Sequence, residues 1–133
     1  MLARRLRIYL TAVGVLLLGQ GSLSLLLHEA LGVDLSELHG LLTTDDAHAG
    51  LHIVWGVVLL AFTRRPVREH TVLGLGFLFG AFYVALGIFG LFDHEAFGMH
   101  LGWGQNAFHL LIGPLALILA LPATREEQRL RAV

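Results

Sequence analysis

Four apolar stretches, separated by short polar segments, dominate the pattern of the chain. They cover residues 8–27, 47–62, 73–92 and 103–121. A helix that crosses a membrane needs about 20 apolar residues, with a range of about 17–25, so the second stretch spans only if Asp45 and Asp46 lie among the headgroups. Arg64-Arg65-Pro66 ends that stretch, whereas Pro114 is tolerable inside the fourth because neighbouring helices can satisfy the freed carbonyl. The pattern predicts an all-α four-helix transmembrane bundle, with residues 1–133 forming one integral membrane domain.

Composition supports a lipid environment. Apolar residues make up 56% of the 133-residue chain and charged residues 14%, with a mean hydropathy of +0.72. Soluble domains carry about 25% charged and about 45–50% apolar residues. The chain has no cysteine, which excludes disulfides, thiolate metal sites, iron–sulfur clusters and cysteine nucleophiles.

The charged residues separate by side of the predicted bundle. All nine basic residues are arginines on one side, and with three glutamates they give it a formal charge of +6, whereas seven carboxylates give the other side −7. The arginines are Arg4, Arg5, Arg7, Arg64, Arg65, Arg68, Arg125, Arg129 and Arg131. The positive-inside rule places both termini in the cytoplasm, and we predict a multi-pass protein of the bacterial inner membrane. An arginine-rich start also fits a signal peptide, but no small-x-small cleavage site precedes His28.

The chain contains an internal repeat. At an offset of 66, residues 28–35 (HEALGVDL) match residues 94–101 (HEAFGMHL) at five of eight positions. Two glycine pairs share that offset, Gly14 with Gly80 and Gly21 with Gly87, and at an offset of 57 His52-x-x-x-Gly56 aligns with His109-x-x-x-Gly113. We predict two helix–loop–helix repeats, residues 8–63 and 72–121, related by an axis along the membrane normal.

Seven of the eight histidines fall on the predicted outer side: His28, His39, His48, His52, His94, His100 and His109. His52 and His109 each lie about 9–10 Å along their helices from the outer end, at 1.5 Å per residue. Ionisable groups inside a membrane face the bundle interior by default. His48 shares a helical face with His52, and Asp45 lies one turn before His48. These positions predict a polar cluster on the axis between the repeats, where His28 would also approach His94.

The residue types of this cluster are those of a cofactor site. Imidazole and carboxylate ligands suit iron, zinc, manganese or copper(II), and facing helices of a bundle can supply axial ligands to a b-type haem. We predict an outward-facing site for a transition metal or haem, with His52 and His109 as its central ligands. The further candidate metal ligands are His48, His28, His94, Glu29, Glu95 and Asp45. The alternative interpretation is that the histidines only hydrogen-bond between helices.

Other chemistry finds little support. The three serines lie in no Gly-x-Ser-x-Gly motif, and no His-Glu-x-x-His motif occurs, so we predict no catalytic residue. Nucleic acid is not an expected partner, since membrane orientation and anionic lipid account for the arginines. The alternative function is a non-catalytic accessory or scaffold subunit of a larger membrane complex, or a homo-oligomer, packed through the glycine-rich third helix. A transporter is a weaker alternative because the cytoplasmic half lacks a polar path.

Three segments carry a family resemblance: residues 46–56 (DAHAGLHIVWG), residues 87–90 (GIFG) and residues 106–113 (NAFHLLIG). On these the chain resembles a family of small bacterial four-helix membrane proteins, a domain of unknown function with His-x-x-x-Gly in helices two and four. The resemblance covers most of the chain and implies fold and topology but no activity. The His-Glu pair after each odd-numbered helix departs from the family pattern. The chain is also similar to DoxX-like four-helix proteins, in size and topology only.

Overall fold

The computed structural model describes residues 2–33 and 45–121, and these residues form four helices with no strand. Helix α1 covers Leu2–Leu25 and continues as a π-helical turn, Leu26–Ala30. The other helices are α2 (Asp46–Thr63), α3 (Glu69–Phe92) and α4 (Trp103–Ala120), with a short 3-10 turn at Ala96–Gly98. The predicted all-α four-helix fold is confirmed. Asp34, Glu37, His39 and the arginines after position 121 lie outside the described residues.

The surface of the bundle is apolar, and all four helices are long and apolar enough to cross a membrane. Large hydrophobic side chains such as Ile8, Val54, Phe77, Leu78 and Ile118 are exposed along the helices. A helix on the surface of a soluble protein instead presents polar residues to solvent, and a contiguous apolar surface of this size marks contact with lipid or protein. The exposed apolar side chains and the composition therefore both indicate that lipid surrounds the bundle.

The helices associate as two pairs, α1 with α2 and α3 with α4. Gly14 and Gly56 form the contact in the first pair: a Cβ atom at Gly56 would lie 2.9 Å from the Gly14 carbonyl oxygen. Gly80 and Gly113 form the equivalent contact in the second pair, at 3.0 Å. Small residues at these positions let two backbones approach closely, which is how helices associate in lipid. The two pairs thus make the same contact at the positions that the repeat aligns.

The pairs are joined through an apolar core and a tyrosine hydrogen bond, and an arginine links α1 to the end of α2. The core includes Leu10, Leu17, Leu59, Phe79 and Ile112. The hydroxyl of Tyr9 donates a hydrogen bond of 2.7 Å to the Ile112 carbonyl, linking α1 to α4. The guanidinium of Arg7 donates to the carbonyl oxygens of Thr63, Arg65 and Val67, at 2.8, 2.8 and 3.3 Å. It thereby satisfies free carbonyls at the end of α2.

The outer ends of α1 and α3 differ although their sequences match. The helix continues through His28 in the first repeat, whereas α3 ends at Phe92 and His94 lies in the following loop. Gly32 and Gly98, which align at an offset of 66, both have positive φ, +62° and +73°. A positive φ favours glycine because it has no Cβ. The matched glycines therefore share a left-handed conformation, but the turns differ, since Leu31 before Gly32 has a φ of −115° and Phe97 before Gly98 has a φ of +58°.

An Ala substitution at Gly56 should disrupt the α1–α2 contact. The new methyl would lie 2.7 Å from the Leu18 backbone nitrogen, and overpacking of this kind costs about 1–3 kcal/mol. Thermal unfolding in detergent, followed by circular dichroism, should show a lower midpoint for Gly56→Ala than for the unsubstituted protein. Gly50→Ala is the matched control on the same helix, because nothing lies within 4 Å of its added Cβ. An equal midpoint for the two variants would contradict the proposed contact.

Candidate metal centre

Three histidine side chains meet in the interior of the bundle. His48 and His52 lie one turn apart on α2, and His109 lies on α4. Their exposed fractions are 0%, 1% and 0%. The ring centres are separated by 4.6 Å for His48–His52, 5.4 Å for His48–His109 and 6.0 Å for His52–His109. One potential ligand nitrogen from each ring lies within 4.8 Å of the other two.

The ring nitrogens of the three histidines lack hydrogen-bond partners. Within the described residues, none of the six nitrogen atoms has a partner in good hydrogen-bonding geometry, and all six are buried. Two polar groups approach the ring of His48 without meeting that geometry, the His100 backbone and the Asp45 carboxylate, the latter at 3.9 Å. Each unsatisfied buried polar group costs about 1–3 kcal/mol, and most buried side-chain polar atoms in proteins do have a partner. Structural cross-links between helices would form hydrogen bonds, so the arrangement does not suit that alternative. It suits a group that the nitrogen lone pairs would bind.

Asp45 lies between this cluster and the end of the bundle at which α2 begins. It is the N-cap residue of α2, and its Oδ1 accepts a hydrogen bond of 2.7 Å from the backbone nitrogen of His48. Its Oδ2 accepts one of 2.9 Å from the backbone nitrogen of His100 and lies 3.9 Å from the His48 Nδ1. Asp45 therefore fixes the backbone at His48, and its carboxylate lies near the imidazole ring without a hydrogen bond to it.

Aromatic side chains enclose the histidines on the side towards the core. The ring of Tyr83, from α3, lies 5.1 Å from that of His109 and 6.3 Å from that of His52. Phe108 lies 6.4 Å from His52, and Trp55 packs against Tyr83 at 6.2 Å. An apolar wall of this kind excludes water, which strengthens every electrostatic interaction inside the site.

The other predicted ligands lie outside the buried cluster. The His28 Nδ1 is 3.6 Å from Glu29 and 3.4 Å from Asp46, in a group of three exposed residues. The Nδ1 of His94 lies 3.1 Å from the Leu101 carbonyl oxygen, and Glu95 forms an ion pair of 2.7 Å with His100. His94 thus contributes to the loop before α4, where the Asn106 amide also donates to the Leu101 and Gly90 carbonyls at 2.9 and 2.8 Å.

The site combines residues that the repeat aligns with residues that it does not. His52 and His109 align, and the same glycine contact supports both: a Cβ at Gly21 would lie 3.2 Å from the Cβ of His52, and one at Gly87 would lie 3.3 Å from that of His109. At the same offset of 57 residues, His48 aligns with a glutamine at position 105. The third histidine therefore comes from the first repeat alone.

Tyr83 was not among the predicted site residues. It lies within the most apolar stretch of the chain, four residues after Phe79 and three before Leu86. An aromatic side chain at this helical spacing is typical of an apolar core. The one available signal is its hydroxyl, because a tyrosine in a membrane span needs a polar partner. At the repeat offset of 66, Tyr83 aligns with Leu17, so the repeat does not reveal it.

Replacing Asp45 with alanine should destabilise the outer end of α2. The change removes the acceptor of the His48 and His100 backbone N–H groups, and loss of an N-cap alone costs about 0.5–2 kcal/mol. Asp46→Ala is the neighbouring control, since its exposed pair with His28 is worth about 0–1 kcal/mol. Chemical unfolding in detergent should show the larger loss for Asp45→Ala. A larger loss for Asp46→Ala would be inconsistent with this role of Asp45.

Comparison of the chain with protein-family models, with curated proteins and with solved structures found no match. The resemblance to four-helix membrane families therefore stays a prediction. Any function assigned to the chain has to be argued from its own side chains, of which the three buried histidines form the most distinctive group.

Proposed function

We propose that this protein binds a transition-metal ion inside a membrane bundle, with His48, His52 and His109 as ligands. The observation that carries the proposal is the burial of three converging imidazoles whose six ring nitrogens lack hydrogen-bond partners in the described structure. Coordination would use one nitrogen of each ring and so offset the cost of burying it. No other described cluster is both buried and composed of ligand side chains.

The spacing of the rings is close to what a metal ion requires. Two imidazoles bound to one tetrahedral zinc ion at about 2.0–2.1 Å have ring centres about 5 Å apart. The observed separations of 4.6, 5.4 and 6.0 Å lie around that value. Nitrogens up to 4.8 Å apart would need to close to about 3.3 Å around such an ion. Binding the ion would therefore require the imidazole rings to rotate towards one another.

The ligand set favours some ions over others. Three neutral imidazoles suit zinc, copper and iron, whereas manganese prefers carboxylate oxygen. The Asp45 carboxylate lies 3.9 Å from the His48 Nδ1 and would have to come closer to accept the hydrogen bond that commonly orients a metal-bound histidine. Three protein ligands leave a fourth position free for water or another small ligand. We therefore propose a three-histidine site with one exchangeable position.

A bare ion fits this cluster better than haem does. A bis-histidine haem needs its flat macrocycle between the two axial rings. The ring of His48 contacts those of both His52 and His109, so it lies where part of the macrocycle would have to be.

We also propose that the site lies towards the outer face of the bacterial inner membrane. His48 and His52 lie in the first two turns of α2, and His109 lies in the second turn of α4. The described arginines lie at the opposite ends of the helices, which the positive-inside rule assigns to the cytoplasm. An ion would then exchange with the periplasm, past Asp45 and the loop that precedes α4.

Metal analysis of the protein tests the proposed site. Protein purified without a histidine tag, stripped with chelator and reloaded with Zn²⁺ or Cu²⁺, should hold about one tightly bound ion per chain. His52→Gln and His109→Gln should each weaken binding by at least about 100-fold, since changes outside the ligand shell alone cost about 10–100-fold. Bound ion should also raise the unfolding midpoint, because a ligand at 1,000 times its Kd adds about 4.1 kcal/mol.

The exposed His28 provides the control for this experiment, because His28→Gln removes an imidazole without changing the buried cluster. It should bind the ion as the unsubstituted protein does. Equal binding by all three variants, or no binding above background by any form of the protein, would rule out the proposed site. The accessory-subunit alternative would then become the leading proposal.

Reporter fusions test the proposed orientation. A green fluorescent protein joined at the C-terminus should fluoresce, because that reporter folds in the bacterial cytoplasm, and alkaline phosphatase at the same position should be inactive. Phosphatase inserted after Phe97, in the loop between α3 and α4, should be active. The reverse pattern would place the histidines on the cytoplasmic side.

A further inference from the structure

Tyr83, on α3, adds a phenol side chain to the histidine cluster. Its side chain is fully buried, and its hydroxyl oxygen has no hydrogen-bond partner in the described structure. The ring lies against those of His109 and His52, at 5.1 and 6.3 Å. Phenylalanine would fill the same space without burying a polar atom, so packing alone does not account for tyrosine here.

The other tyrosine of the chain shows what a structural hydroxyl looks like in this bundle. The chain has two tyrosines, and the hydroxyl of Tyr9 donates to the Ile112 carbonyl at 2.7 Å. That bond links two helices and satisfies the hydroxyl. The ring of Tyr83, in contrast, contacts the rings of Trp55, Phe79 and Phe82 as well as those of the histidines, and its buried hydroxyl has no hydrogen-bond partner in the described structure.

We infer that Tyr83 is a binding residue for a small anionic or water-derived ligand in the fourth coordination position of the metal. The inference rests on the proposed three-histidine site, which leaves that position free. A phenol is a hydrogen-bond donor at neutral pH, and a metal-bound hydroxide, or an anion of similar size, is a strong acceptor. The ligand would therefore be a small anion that coordinates the ion through one atom and accepts a hydrogen bond from the Tyr83 hydroxyl.

Azide binding to the copper-loaded protein tests this role, because azide occupies a free position on copper(II) and produces a charge-transfer band. Copper stoichiometry and azide affinity are measured separately for the unsubstituted protein, Tyr83→Phe and Tyr9→Phe. Tyr83→Phe should keep one copper per chain and bind azide about 10–100-fold more weakly, the loss expected for a hydrogen bond to a charged group. Tyr9→Phe should bind azide with the affinity of the unsubstituted protein.

A stability measurement on the metal-free protein separates this role from a structural one. Removing the unpartnered hydroxyl should leave the unfolding midpoint of Tyr83→Phe unchanged or higher, whereas Tyr9→Phe should be less stable because it loses a hydrogen bond. Unchanged azide affinity in Tyr83→Phe, or loss of copper itself, would overturn the inference while leaving copper binding by the unsubstituted protein intact. Absence of copper binding by the unsubstituted protein would overturn the proposed site together with the inference.

Discussion

The close approach of helix backbones at four glycines is the constraint on which the rest of the structure depends. Gly14 against Gly56, and Gly80 against Gly113, set the distance between the helices of each pair. Two further glycines on the partner helices, Gly21 and Gly87, lie against His52 and His109, whose rings meet between the two pairs. A larger residue at any of these contacts would move a whole helix, and the imidazoles would move with it.

The lipid environment and the buried polar cluster are connected. A bundle that exposes apolar residues to lipid gains little from burying more of them, so van der Waals packing and polar contacts contribute more to holding its helices together. Here the buried histidines make ring contacts with one another instead of hydrogen bonds. In water such a group would be hydrated and weakly binding; inside an aromatic wall its nitrogens are dry and held in place.

The sequence was sufficient to predict the four helices, because each is a long apolar stretch. It also placed His52 and His109 at the same depth, because depth follows from the number of residues along a helix. Which of the other predicted ligands join the buried cluster depends on the direction of their side chains, which the sequence does not give. His48 faces inward because it lies one turn before His52 on the same face of α2, whereas His28 lies at the end of α1 beside Asp46. His94 differs again because α3 ends before it. Tyr83 could not be separated from core aromatics without knowing that its hydroxyl is unpartnered.

The proposed three-histidine site is asymmetric, because His48 aligns with a glutamine in the other repeat. A twofold dimer built only from the first helix pair would bring two copies each of His48 and His52 to its axis, giving four imidazoles around one ion. A dimer of the second pair would bring only two, with a pair of glutamines beside them. A twofold axis supplies ligands in pairs, so neither symmetric dimer can offer three. A single chain that joins two unlike halves can. Three ligands on a four-coordinate ion would leave one position open, and in the proposed site that opening would follow from a single difference between the repeats.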